Sequence, residues 1–191
     1  MLQDATFFLG VTLLCMTCAG PAPARQKLPR KTQDVAALIE KLKDKDSYTR
    51  REALASLGRI GPAAKAAIPA VTNRLKDKNP LVRIYAASAL KRIDPQTKMA
   101  LPVLLNALRV KDETVRCYAA NAFNPFGVAA VPGLIKAFKD PDPAVGMWAS
   151  GAVVLIGQEA IPLLRKARKE KNPQVRRHAK QALEMIDPLD K

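Results

Sequence analysis

One histidine, His178, and three cysteines, Cys15, Cys18 and Cys117, are the side chains of this 191-residue chain best suited to metal binding or nucleophilic chemistry. Their spacing supports neither. Cys15 and Cys18 form a C-x-x-C pair, but it lies in a run without charge and has no second pair or histidine nearby. A single histidine excludes a His-rich metal site, and no G-x-S-x-G, H-E-x-x-H or phosphate-cradling glycine loop occurs. The expectation is a protein without catalytic residues, metal or cofactor. What does recur is a set suited to binding: Glu52, Tyr85, Tyr118, Trp148 and His178 stand in register, preceded by Arg51, Ile84, Cys117, Met147 and Arg177. Flat, amphipathic side chains with few torsions make good anchors for a partner.

That register comes from an internal repeat. Val82, Ala86, Ala89, Leu90 and Ile93 return as Val115, Ala119, Ala122, Phe123 and Phe126, then as Val145, Ala149, Ala152, Val153 and Ile156. Val175, Ala179, Ala182, Leu183 and Ile186 follow, and a divergent first copy reads Thr49, Ala53, Ser56, Leu57 and Ile60. Offsets of four, seven, eight and eleven fall on one face of a helix. A second segment precedes each later copy, opening on Ile68-Pro69, Leu101-Pro102, Val131-Pro132 or Ile161-Pro162. Proline suits the first turn of a helix, where its missing N–H had no partner. Each copy therefore reads as helix A, a turn such as Asp77-Lys78-Asn79-Pro80, and helix B. Asn124-Pro125 should cut the third B helix short. The copies span about 33–67, 68–100, 101–130, 131–160 and 161–188.

A helix pair this short cannot bury its apolar stripe alone, so copies must stack, and alanines let the backbones approach. "DKNPLVRIYAASALKRID" resembles a HEAT repeat, especially the HEAT-like type of phycobilisome lyases, over residues 33–188. The resemblance implies an all-α fold: an α-solenoid of five stacked antiparallel helix pairs in a right-handed superhelix. It also implies a ladder of Asp before helix B with Arg after its valine, here Asp44 with Arg50 and Asp77 with Arg83, with Glu170 and Arg176 as a conservative version. Val110 before Arg116, and Asp140 with Gly146, must break it or make it cross between copies. B helices line the concave side in such stacks, which makes the aromatic column a binding ladder there or, alternatively, packing between B helices. Enzymes of the resembling families attach bilins or excise DNA bases; Trp148, Asp140 and Arg116 are the residues that the second activity would use, but no motif fixes them.

Apolar columns of the A helices end at Arg165 and Arg168, so the fifth copy is expected to cap the stack, with no sixth after Lys191. Residues 1–24 hold the uncharged run "FFLGVTLLCMTCAG" and then Ala22-Pro23-Ala24, the pattern of a secretory signal cleaved before Arg25. Lipidation at Cys18 and retention of the segment in a membrane are the alternatives. Residues 25–32 read as a basic linker and 189–191 as a tail. Lys and Arg number 32 against 17 Asp and Glu, a net charge of +15 that favours an acidic partner or a polyanion. The whole reading is an exported, monomeric scaffold for a protein partner, with a polyanion-binding module as the alternative.

Overall fold

The computed structural model describes residues 33–188; the signal expected at 1–24, the linker at 25–32 and the tail at 189–191 lie outside the described residues. Ten α-helices follow one another: α1 (Gln33–Lys41), α2 (Ser47–Ile60), α3 (Ile68–Arg74), α4 (Pro80–Ile93), α5 (Ala100–Ala107), α6 (Glu113–Ala122), α7 (Val131–Ala137), α8 (Pro143–Ile156), α9 (Ile161–Ala167) and α10 (Pro173–Ile186). No strand occurs among the described residues. Odd-numbered helices are the A segments and even-numbered ones the B segments.

Local chemistry sets these boundaries. Asp46, Asn79, Asp112, Asp142 and Asn172 stand before the five B helices, and each side chain accepts a bond from a backbone N–H two or three residues on. Such a cap satisfies donors that a helix start otherwise leaves open. Prolines occupy the first turn of α3, α7 and α9. Asn124-Pro125 ends the third B helix early, as its sequence requires: α6 has 10 residues where the other B helices have 14, and a 3-10 segment, Asn124–Ala130, follows. Residues 143–167 are long and apolar enough to cross a membrane by length and composition alone. Gly157, at φ 80°, a conformation that side chains with a Cβ resist, divides this stretch into α8 and α9.

Two compact units make up the described chain, residues 33–107 and 108–188. In the first, α2 packs along α4, α1 covers α2, and α3 and α5 lie against α4. Its core includes Leu54, Leu57, Val71, Val82, Leu90 and Leu104. In the second, α8 lies against both α6 and α10, with α7 on α8 and α9 on α10. Phe123, Phe138, Val145, Val153, Leu164 and Val175 fill that core.

The Asp–Arg ladder differs from the expected one. Arg50 does not bind the Asp44 carboxylate; it donates to the backbone carbonyls of Asp44 and Lys45 and makes a two-bond ion pair with Asp77 of the next copy, both bonds 2.9 Å. Arg83 takes the carbonyls of Asp77 and Lys78, and Arg176 those of Glu170 and Lys171. In residues 108–188, Arg116 donates to the Val110 carbonyl and reaches forward to Asp142 at 2.6 Å, while Asp140 pairs with Arg109 at 2.7 Å. The reason is local. The carboxylates of Asp44, Asp77 and Asp140 each accept the N–H two residues on and so shape the turn. After Asp44 and Asp77 the arginine six residues later meets that turn's carbonyls, and Arg50 also extends to the following copy.

Candidate functional site

The aromatic column divides by unit. In residues 108–188, Trp148 is 2% exposed and His178 4%. Neither side chain lines a groove, which corrects the expectation that both belong to an accessible ladder. His178 lies against the Phe138 ring at 5.3 Å, and its Nδ1 has no hydrogen-bond partner. A Cβ on Gly146 would stand 2.7 Å from its Nε2, so the glycine that replaces the ladder arginine provides the room for this ring. Burial, aided by the Arg177 charge, pulls the imidazole down from 6.5 to about 4. It is neutral at physiological pH. Tyr118 and Met147 are half-buried, Cys117 is buried and Arg177 is exposed. The trio considered for base excision is dispersed into structural roles: Trp148 is packed away, Arg116 holds Asp142, and Asp140 holds Arg109.

In residues 33–107 the same column stays accessible. Tyr85 and Glu52 are half-buried, although Ile84 is buried at 2% and cannot serve as a contact. The Arg51 guanidinium lies over two rings, 5.5 Å from the Tyr48 centroid and 5.9 Å from that of Tyr85. Tyr48 is 61% exposed, so this stack faces solvent on one side. Beside it, between α2 and α4, a cleft of about 230 Å³ opens. Leu54, Ala55, Gly58 and Ala89 form its floor, and Arg59, Tyr85, Ser88 and Arg92 its rim. A Cβ on Gly58 would come within 3.1 Å of the Ala89 Cα, so the two B helices meet almost backbone to backbone below it. Small floor residues and long rim residues together make the depression.

Two carboxylates in the ion pairs, those of Asp77 and Asp142, are held low. Burial pushes the Asp77 carboxyl up, but bonds from Arg50 and the Asn79 N–H, with the Arg50 and Arg74 charges, outweigh it and hold the group below its ordinary value. Asp142 is likewise held low, by the Ala144 N–H first and then by Arg116. No group of three His, Cys, Asp or Glu suited to a metal ion exists among the described residues.

The family model for HEAT repeats matches residues 35–123 and 101–184. The chain belongs to the HEAT-repeat family. No curated protein matches it. Among solved structures, this HEAT-repeat chain is similar to the complex of CpcE and CpcF of phycocyanin lyase from Nostoc sp. PCC7120, with 25% identity over 89% of this chain and 70% of that one, at a TM-score of 0.49. It is also similar to two engineered proteins. One has 22% identity over 95% of this chain and 90% of its own, at TM-score 0.43; the other has 24% over 81% of each, at 0.45.

Sequence reasoning missed Tyr48, Arg59, Arg92 and Asp142. Two signals were available. Asp or Asn recurs three residues before the first column of every HEAT copy, which marks Asp142 as a cap. The position ten after that column reads Arg59, Arg92, Pro125, Leu155 and Met185, so its charge is confined to the first two copies.

Proposed function

We propose that this HEAT-repeat protein is a non-catalytic scaffold that captures a protein partner on the exposed faces of α2 and α4. The observation that carries this reading is the Tyr48–Arg51–Tyr85 stack beside an open cleft. Rigid aromatics and arginine are the residue types that concentrate binding energy at interfaces. Against catalysis stands the placement of His178, the sequence's single histidine, which is neutral and packed on Phe138 out of a substrate's reach. The uncharged run in residues 7–20 supports export from the cytoplasm as part of this reading.

The experiment is capture from a native cell-envelope fraction by the full chain, washed at low and high salt, with a Tyr48→Ala/Tyr85→Ala variant alongside. A discrete protein held at high salt by the unmodified chain, and lost by a variant of unchanged helical content, supports the scaffold. Retention of the same protein by the variant overturns the site. The net charge of +15 supports a second reading, a polyanion-binding module. It predicts instead that only polyanions bind and that they leave steeply as salt rises, because their affinity comes from counterion release.

A further inference from the structure

The cleft between α2 and α4 carries more information than its location. Three arginines hold the fold through carboxylates, Arg50 with Asp77, Arg109 with Asp140 and Arg116 with Asp142, and Arg83 and Arg176 hold it through backbone carbonyls. The cleft arginines differ. Arg59 donates to the Ser56 hydroxyl, and the Arg92 stem crosses Gly58, its Cδ 3.6 Å from where a Cβ would stand. Neither has a carboxylate within ion-pair distance among the described residues, and Glu52, on the same face, makes no ion pair with them.

Size narrows the ligand. A cleft of about 230 Å³ falls below the roughly 300–1,000 Å³ typical of sites for small molecules and cofactors. Its accessible lining at Ala55 and Tyr85 suits one apolar side chain. Guanidinium groups match carboxylates in shape and can bind them with two parallel hydrogen bonds. A nucleic-acid groove would instead need a long basic track with exposed faces for stacking; here the arginines sit at the rim of a single depression.

We infer that this cleft takes an acidic peptide segment of the partner protein, with an apolar side chain against Ala55 and Tyr85 and flanking carboxylates on Arg59 and Arg92; this rests on the scaffold reading above. The segment thereby supplies a counter-charge to the two rim arginines.

The test is selection of a display library of random heptapeptides on the full chain, followed by affinity measurement of the selected peptides. Asp or Glu on both sides of a Leu, Ile or Phe is the expected consensus. Arg59→Ala/Arg92→Ala should weaken binding about tenfold or more, as loss of charge-assisted bonds requires. Lys166→Ala/Lys169→Ala, which removes the same charge from exposed positions in residues 108–188, should change it by less than about twofold, the scale of screened surface charge. Equal weakening by both variants, or a short single-stranded DNA that displaces the peptides from the unmodified chain but not from the arginine variant, would overturn the proposal in favour of general polyanion binding. A consensus without acidic residues, or no selected peptide, sinks the acidic segment while leaving the scaffold to be judged by the envelope capture. Circular dichroism of the variants keeps a folding failure from being read as either result.

Discussion

Tyr85 in residues 33–107 and Trp148 and His178 in residues 108–188 occupy the same position of the repeat, three residues after the first column. Tyr85 keeps an accessible edge and shares a guanidinium with Tyr48. The two later rings are interior. The difference at His178 traces to a neighbouring position. Where earlier copies have Arg50, Arg83 and Arg116, the fourth has Gly146, and the histidine of the following copy fills the volume that an arginine would take. One repeat backbone thus supports two states of a column: an accessible ring at Tyr85, and a buried one at His178 where Gly146 opens room. The sharpest test is truncation at each end. Trp148→Ala should destabilise residues 108–188 by about 3–5 kcal/mol, the usual cost of emptying a buried aromatic site. Tyr85→Ala should cost about 1–2 kcal/mol, since half its surface contact and the cation–π pair are what it loses. Urea denaturation of both variants measures this, and equal losses would erase the distinction between surface and core.

The ion pairs extend the comparison. Arg50 and Asp77 have side chains 4% and 3% exposed, whereas Asp142, the partner of Arg116, is 45% exposed. Arg50→Ala takes two bonds from a buried carboxylate, leaving it the Asn79 N–H and Arg74 at 3.3 Å, and should cost about 3 kcal/mol. Arg116→Ala leaves Asp142 free to turn to water, so its cost should be about 1–2 kcal/mol, the range of lost hydrogen bonds. The same denaturation series checks this ordering, and a reversal would mean that the carbonyl contacts rather than the carboxylates set the energy.

How far these features could be read from sequence follows from what each depends on. The helix pairs were legible because caps, prolines and the helical period are local: Asn124-Pro125 alone foretold a shortened α6. The ladder was legible in its residues but not in its partners, since whether Arg50 meets Asp44 or Asp77 depends on how one copy sits on the next. The aromatic column failed at Trp148, His178 and Ile84 for the same reason. A position at the margin of a helix face is exposed or buried according to the volume of a residue on another helix, and only Gly146 hinted at it. Arg59 and Arg92 were visible as a column restricted to two copies, but their lack of carboxylate partners is a property of the folded neighbourhood.

Gly146 itself provides the next break point. Alanine normally stabilises a helix interior by about 1 kcal/mol over glycine. At position 146 its Cβ would meet the His178 ring, so Gly146→Ala should cost about 2–3 kcal/mol through overpacking. In a His178→Ala background the clash is absent, and the same substitution should become stabilising. A double-mutant cycle by denaturation reads that change of sign; a cost that persists without the imidazole would assign Gly146 some role other than housing it.

Acid should separate the two units by the smallest but most selective effect. The His178 imidazole titrates at about 4 in the folded chain against 6.5 for the ordinary group. A histidine lowered by folding binds protons more readily when unfolded, so acidification pulls the equilibrium towards the unfolded state as pH falls from 6.5 to about 4. Between pH 6.5 and 5 the loss should be about 1–2 kcal/mol. Asp77 behaves differently: its carboxyl is held below the ordinary value, so its contribution is complete above that value and is lost only as pH falls through the lowered one. Amide protection in α8 and α10 should therefore decline across pH 6.5 to 5 while that in α2 and α4 holds. His178→Phe should flatten the decline. A decline of equal size in both units would place the titrating group elsewhere and remove the pH dependence from the Gly146–His178 contact.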